Sequence, residues 1–112
     1  MSRLKGFEKD EMIDENKSIQ TNKYEMFAFV LSGKNRIIIY KNLIDKPCYA
    51  YEIAGKENLN PSSVVRSLKD MEKNKIVECL NPKSHRQKFY RLTLEGSSLK
   101  ADLENFMNKQ GL

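Results

Sequence analysis

The residues with the clearest chemical potential form two clusters in the middle of the chain. The first lies on residues 61–74, where two hydroxyls and a guanidinium near the start are followed by two ammonium groups: Ser62, Ser63, Arg66, Lys69 and Lys73. The second occupies residues 83–88, with four basic side chains and no acid: Lys83, His85, Arg86 and Lys88 beside Ser84 and Gln87. Such groups hydrogen-bond to phosphates and to the edges of nucleic-acid bases.

The positive charge of the chain is concentrated where these clusters lie. The 112 residues include 20 Lys and Arg against 15 Asp and Glu, a formal net charge of +5. Residues 60–91 hold eight of the basic and three of the acidic residues, so this segment alone carries +5. A basic balance that is concentrated on a few elements favours a nucleic-acid partner more strongly than a diffuse one.

The elements that must position the clusters follow from local signals. Asn60 is a good N-cap, and Pro61 falls on the first helical position, where its missing N–H costs nothing, so a helix is predicted over 61–74. Its buried side is predicted from the i, i+4, i+7 spacing of Val64, Leu68 and Met71. A short helix over 49–57, with a narrow edge of small apolar residues, precedes it across a turn at Asn58-Leu59.

The rest of the chain completes a mixed helix and strand pattern. Strands are predicted at 76–80 and 88–94, joined by the basic loop 81–87 into a hairpin. In the second strand Phe89, Arg91 and Thr93 should face one way and Tyr90, Leu92 and Leu94 the other. Helices are predicted at 23–33 and at 34–45, and Gly33 is expected to end the first of them. A last helix is predicted from about residue 95, with an apolar stripe formed by Leu99, Leu103, Phe106 and Met107. The run Ile37–Ile39 would suit a strand equally well.

This order resembles the winged helix-turn-helix regulators, in particular the multiple-antibiotic-resistance, arsenical-resistance and phenolic-acid-decarboxylase repressors. The residues that carry the resemblance are Arg36 to Leu43, Glu52-Ile53-Ala54, Ser63 to Glu72, Ile76-Val77 and Tyr90 to Gly96. The resemblance implies a winged helix-turn-helix of the α+β class, mostly α, with a small antiparallel sheet and flanking N- and C-terminal helices. It also implies sequence-specific binding of double-stranded DNA, usually in transcriptional control.

Under this interpretation the helix 61–74 enters the major groove, and the wing loop 81–88 lies on the backbone or in the minor groove. Base contacts are expected from Ser62, Ser63, Val65 and Arg66. Backbone or wing contacts are expected from Tyr49, Lys69, Lys73, Lys83, Ser84, His85, Arg86 and Lys88. Three other interpretations stay open. The polar helix face and the basic loop could simply be solvated surface. The chain could be a winged-helix module that binds a protein without touching DNA or, more weakly, it could bind RNA.

The two cysteines invite a separate hypothesis. Cys48 precedes the helix 49–57 and Cys79 lies on the strand that leads into the wing, so the resemblance places both in one small sheet, where a bond between them is conceivable. Two free thiols, the ordinary state in a reducing cytosol, are the alternative. The cysteine pair and the small size also resemble the winged-helix proteins of spindle-shaped archaeal viruses. Two Cys and one His do not supply the four ligands of a zinc site.

The remaining expectations concern organisation and partners. Residues 1–22 are predicted to be a weakly ordered tail and residues 23–112 a single domain. Apolar runs are too short to span a membrane, and residues 1–20 lack the apolar core of a secretory signal, so a cytoplasmic protein is expected, in the host cytoplasm if viral. A homodimer through the N- and C-terminal helices is conceivable. No enzymatic activity, metal, cofactor or small-molecule ligand is inferred.

Overall fold

The computed structural model describes residues 23–110, which form six helices around one side of a small sheet. In chain order the elements are α1 (residues 23–31), α2 (Lys34–Leu43), β1 (Cys48–Tyr49), α3 (Ala50–Glu57), α4 (Pro61–Lys73), β2 (Val77–Cys79), β3 (Phe89–Leu92), α5 (Leu94–Ser97) and α6 (Lys100–Gln110). The predicted α+β class with a small antiparallel sheet is confirmed. The tail predicted at 1–22 lies outside the described residues.

The core forms where α2, α3 and α4 meet and extends to the C-terminal helix. Helix α4 contributes Val64, Leu68 and Met71, the three residues whose spacing predicted its buried side. The other fully or almost fully buried apolar side chains come from every layer of the fold: Val30, Ile39, Tyr40, Leu43, Cys48, Ile53, Ala54, Ile76, Val77, Tyr90, Leu99, Leu103 and Met107. A continuous core of this kind holds α4 rigidly, so the orientation of its outer face is fixed.

The α1–α2 junction differs from the sequence prediction. Helix α1 ends at residue 31, and Gly33 does not end it as a left-handed cap: its φ is -130°, which is extended backbone, and it is the N-cap of α2. Arg36 closes the junction, because its guanidinium lies 3.7 Å from the centre of the Phe29 ring and donates to the Phe29 carbonyl at 2.8 Å. The isoleucine run is helical, since two turns of α2 are buried against α4.

Two residues in left-handed conformation end the helices that flank the turn and the hairpin. Asn58, with φ of 56°, ends α3 and lets the chain turn sharply into α4. After α4 the left-handed residue is Lys75, with φ of 62°, whereas Asn74 stays at -90°. Asn tolerates the left-handed conformation better than Lys, so local preference does not explain why Lys75 adopts it and Asn74 does not. The Asn74 side chain instead donates to the Asp70 carbonyl at 2.9 Å and extends the helical bonding.

The strand order of the sheet decides between the bonded and the free cysteines that the sequence left open. Its strand order is β1-β3-β2, and all pairs are antiparallel. Cys48 of β1 and Cys79 of β2 both pair with Tyr90, one from each side. They are therefore two strand spacings apart, about 9.5 Å, beyond the roughly 7 Å between Cα atoms that a disulfide tolerates. Both thiols are free, so the bonded alternative is wrong.

The second strand and the last helix are each shorter than predicted. Strand β3 ends at Leu92, and the Thr93 hydroxyl accepts the Gly96 amide at 2.8 Å to cap α5. Leu94 therefore does not share the inward side of Tyr90; its side chain is 87% exposed. The expected single helix is divided into α5 and α6, although its predicted stripe is buried or half-buried as expected. In the described part of the chain, no helix has the length and apolarity needed to cross a membrane.

Candidate nucleic-acid interface

Helix α4 presents the first cluster of polar side chains, and its start is fixed by one residue. The Asn60 side-chain oxygen accepts the amides of Ser62 at 2.8 Å and Ser63 at 3.2 Å, and Pro61 occupies the first turn. Side-chain capping of this kind satisfies two of the four amides that a helix start leaves unpaired. The predicted N-cap is confirmed, and the first turn of α4 is held in one position relative to the core.

The exposed side of α4 carries the residues that were predicted to contact DNA. The side chains of Ser62, Arg66, Lys69 and Lys73 are exposed, and those of Ser63 and Val65 are half-buried. None of the cations on this face forms a salt bridge within residues 23–110; the ion pairs there involve Lys23, Lys46 and Arg91. The positive charges of α4 are therefore available to an external anion.

The loop between β2 and β3 is organised by Asn81. Its side-chain oxygen accepts the Phe89 amide at 2.8 Å, and its side-chain nitrogen donates to the Gln87 carbonyl at 2.7 Å. The Ser84 hydroxyl accepts the Arg86 amide at 3.2 Å, which forms a further turn inside the loop. These bonds hold the basic residues outside the turn, where the side chains of Lys83, His85, Arg86 and Lys88 are exposed.

A concave surface, here called the basic cleft, joins α4 to this hairpin. Its volume is about 430 Å³, and it is lined by residues from four elements and the loop: Tyr49, Ala50, Tyr51, Val65, Leu68, Lys69, Arg86, Gln87, Lys88 and Tyr90. Three of these side chains are cationic, and none of the described lining residues is acidic. The fold thus brings residues from both clusters of the sequence to one surface, although β2 lies between the two clusters along the chain.

Five of the predicted contact residues line the basic cleft, and the others lie outside it. Those in the cleft are Tyr49, Val65, Lys69, Arg86 and Lys88. Those outside are Ser62, Ser63, Arg66 and Lys73 on α4 and Lys83, Ser84 and His85 on the loop. The predicted set is therefore divided between the cleft and two groups of residues outside it, one on α4 and one on the loop, here called its flanks.

Two tyrosines of the sheet, Tyr49 and Tyr90, line the basic cleft, and Tyr49 is supported from outside it by Phe89. The rings of Tyr49 on β1 and Phe89 on β3 meet edge to face, with their centres 5.1 Å apart. Burial, with a smaller contribution from the Glu72 carboxylate, raises the pKa of the Tyr90 phenol. The phenol of tyrosine is neutral at physiological pH, and this shift moves its ionisation further away, so Tyr90 adds no negative charge to the cleft.

The start of α3, beside the cleft, is held by an acidic side chain. Glu52 accepts the Tyr49 amide at 3.3 Å through one oxygen and the Lys46 ammonium at 3.0 Å through the other. The hydrogen bond from Lys46 is the main reason that the pKa of the Glu52 carboxyl is lowered. Glu52 stays charged and keeps Tyr49 and the following turn in place.

Sequence reasoning missed Tyr51, Gln87 and Asn81. Tyr51 was taken as part of a short helix, yet its side chain is 68% exposed and lines the cleft. Gln87 was included in the loop without a role. Asn81 could have been found, because Asn before Pro at the start of a loop is a recognised turn signal. For Tyr51 the only available signal was its size: it is a large aromatic residue in a short helix whose narrow apolar edge is formed by Ala50, Ile53 and Ala54.

Searches with protein-family models and against curated protein sequences found no significant match. Solved structures do match. A homodimeric winged helix-turn-helix DNA-binding domain from Mycobacterium bovis, described as a possible ArsR-family transcriptional regulator, superposes with a TM-score of 0.66 at 16% identity and covers 84% of this chain and 86% of that one. The transcriptional repressor BigR from Xylella fastidiosa gives 0.65 at 20% identity, covering 83% and 94%. NadR in complex with 4-hydroxyphenylacetate gives 0.63 at 19%, covering 89% and 72%.

The chain has a winged helix-turn-helix fold. Helices α3 and α4 are its helix-turn-helix, with α4 in the place of the recognition helix, and the β2–β3 hairpin is its wing. The predicted resemblance to such regulators is confirmed at the level of the fold. The resemblance to proteins of archaeal viruses has no support from these comparisons, because the two structures above whose source is stated are bacterial. Within residues 23–110, no group of His, Cys, Asp and Glu is arranged to hold a metal ion.

Proposed function

We propose that this protein is a sequence-specific double-stranded DNA-binding protein that regulates transcription. The observation that carries the proposal is the basic cleft, where Lys69 of α4 and Arg86 and Lys88 of the wing share one surface free of described acids. A polyanion of the width of a DNA strand is the partner that such a surface attracts. The three winged-helix neighbours, two of them described as transcriptional regulators or repressors, support the same function.

The proposed docking follows from the two flanks of the cleft. The major groove admits one α-helix, and the residues near the N-terminus of the inserted helix reach base edges. In α4 these are Ser62, Ser63, Val65 and Arg66. Arg66 is the residue best suited to a bidentate bond with guanine. Lys69, Lys73 and Tyr49 then meet phosphates, and the loop residues Lys83, Ser84, His85, Arg86 and Lys88 follow the backbone or enter the minor groove.

The test is a selection of bound sequences from random duplex DNA, followed by affinity measurements over a range of salt concentrations. We expect an enriched motif and a log–log slope of about -0.9 for each phosphate contact. Arg66→Ala should relax the preference at one base pair of the motif. Lys83→Ala should weaken binding to every sequence by a similar factor. The absence of any enriched motif together with a flat salt response would exclude the proposal.

We also propose that the active form is a homodimer. Helices α1 and α6 enclose an apolar depression of about 660 Å³, here called the aromatic groove, lined by Lys23, Tyr24, Phe27, Asp102, Asn105, Phe106 and Lys109. Tyr24 is 78% exposed there, and the rings of Phe27 and Phe106 meet edge to face at 6.5 Å. The Mycobacterium bovis neighbour is homodimeric. A dimer predicts two half-sites about 34–36 Å apart in the selected motif.

The aromatic groove also supports a second candidate function, a winged-helix module that binds another protein and not DNA. Sedimentation of the purified chain separates the two candidates. A dimer that retards duplex DNA supports the first. A monomer that fails to retard DNA at low salt supports the second, because the groove would then be free for a different partner.

A further inference from the structure

We propose that Tyr51 is a DNA contact, and that the basic cleft holds one sugar-phosphate segment with the Tyr51 ring against the sugar. The inference rests on the proposed function and adds a residue to it. Tyr51 is the second residue of α3, and its side chain is 68% exposed while neighbouring residues of the same helix, Ile53 and Ala54, are buried. The fold therefore makes no use of this ring in its core.

The chemistry of the basic cleft matches the two parts of a DNA strand. Its rim carries the cations Lys69, Arg86 and Lys88, which suit phosphate oxygens. Its floor and remaining wall are apolar or aromatic, formed by Ala50, Val65, Leu68 and the tyrosines. A phosphate alone would need only the rim. The alternation of a deoxyribose, whose faces are largely apolar, with a charged phosphate uses both the floor and the rim.

The position of Tyr51 limits where the strand can lie. The ring stands at the end of the cleft formed by the start of α3, and Lys69 of α4 lines the same cleft. Tyr49, the residue that precedes α3, is fixed by its contact with Phe89 and by Glu52. The cleft is thus a preorganised surface with one exposed ring, and a strand held in it would share it with Tyr51, Lys69 and Lys88.

Substitution of Tyr51 should lower DNA affinity without changing its salt dependence, unlike substitution of the cations. Tyr51→Ala removes an uncharged contact, so we expect affinity to fall by about tenfold on the selected motif and on unrelated duplexes alike, with the salt slope unchanged. Tyr51→Phe keeps the ring and should bind within about twofold of the wild type. Lys88→Ala, in contrast, should also lower the magnitude of the salt slope by about one contact.

The experiment is a titration of the full chain and its variants against the selected duplex and a scrambled duplex at three salt concentrations. Leu94→Ala is the matched control, since Leu94 is an exposed apolar residue that does not line the cleft, and it should bind like the wild type. Thermal unfolding of each variant shows whether the fold is intact, and Tyr51→Ala should melt with the wild type because the ring is exposed.

Three results separate the outcomes. If the wild type binds DNA but Tyr51→Ala binds equally well, or if its loss is confined to the selected motif, the assignment of Tyr51 to the strand is wrong while the proposed function stands. A Tyr51→Phe variant as weak as Tyr51→Ala would overturn the packing of the ring on the sugar. If the wild type binds neither duplex at low salt, it is the proposed function that fails.

Discussion

The basic cleft and the aromatic groove are two concave surfaces of similar kind with different charges. Each is bordered by an exposed tyrosine, Tyr51 in the cleft and Tyr24 in the groove. The charged residues that line the cleft are all cations, whereas those of the groove have both signs. The groove contains the Lys23–Asp102 ion pair, with the nitrogen and oxygen 3.8 Å apart. An exposed aromatic ring therefore does not identify a partner by itself; the charge around it does.

This difference assigns the surfaces to different classes of partner. A uniformly positive surface attracts a polyanion, and its binding weakens with salt. A mixed and aromatic surface suits a second protein surface, where rings are enriched and charges lie at the edge. In the chain, α5 lies between strand β3 of the wing and α6, so it connects the elements that carry the two surfaces.

The largest effect is expected from Gly96→Ala, at the connection between the two surfaces. A Cβ atom on Gly96 would lie 2.0 Å from the Ile76 carbonyl oxygen, which is backbone and cannot move aside, and the Tyr40 hydroxyl donates to the Gly96 carbonyl in the same place. We expect a loss of about 3 kcal/mol or more in the free energy of unfolding, measured by denaturant titration.

The matched control for this substitution is Gly55→Ala. Gly55 lies in helix α3, is exposed, and has no atom within 4 Å of an added Cβ. Alanine at this helical position should stabilise the protein by about 0.5–1 kcal/mol. A Gly96→Ala protein as stable as the wild type would show that α5 does not pack on the base of the wing as described.

The second prediction tests the charge difference directly. The triple variant Lys69→Ala, Arg86→Ala, Lys88→Ala should lose about 100-fold or more in DNA affinity at low salt and about three contacts from the salt slope. The double variant Lys23→Ala, Lys109→Ala removes cations from the aromatic groove and should leave the salt slope unchanged. Affinity titrations of both at equal ionic strength measure the contrast, and equal losses in the two variants would remove the distinction between the surfaces.

Features set by residues close together in the sequence could be predicted, whereas features that depend on the pairing of distant strands could not. The start of α4 was predictable to the residue, because Asn60, Pro61 and the i, i+4, i+7 spacing act within a few residues of one another. The two basic clusters were also visible. The basic cleft was not, because it needs the register of β1 and β3, which brings Tyr49 opposite Phe89 from a distance of 40 positions.

The errors of the sequence analysis have the same origin. The disulfide hypothesis is wrong because of the strand order. Both cysteines lie in one sheet, as expected, but β3 lies between their strands. Leu94 was expected to continue the alternation of β3, and the Thr93 cap ends the strand before it. The left-handed residue after α4 is Lys75 and not Asn74, a choice that local preference alone gets wrong.

The third prediction concerns the aromatic groove. Tyr24→Glu places a negative charge on a ring position that is 78% exposed in the single chain, so the monomer fold should be preserved. In the proposed dimer this charge is buried, and the dissociation constant of the dimer should rise by about 100-fold. Sedimentation velocity across a concentration series measures the change. Unaltered sedimentation, with the wild type dimeric, would place the interface elsewhere.

The fourth prediction is a smaller effect at the start of α4. Asn60→Ala removes the acceptor of the Ser62 and Ser63 amides and should cost about 1 kcal/mol of unfolding free energy, whereas Asn60→Ser keeps a cap and should cost less. Because these bonds fix the first turn of α4, the loss of the N-cap in Asn60→Ala should also lower the affinity for DNA. Denaturant titration and duplex binding are measured on the same samples, and a change in binding without any change in stability would contradict the link.

The smallest expected effect is that of reductant. Cys48 and Cys79 flank Tyr90, which lines the floor of the basic cleft, so a bond between them would have to distort that floor. They are separated by β3, and the intact mass should therefore lack the decrease of about 2 Da that a disulfide gives, with equal DNA binding in the presence and absence of reductant.

Cys48 is 3% exposed, and its burial raises the pKa of its thiol, so less of it is thiolate at a given pH and it should be alkylated more slowly than Cys79. Equal alkylation rates, read from peptide masses over time, would show that the β1 edge of the cleft opens to solvent.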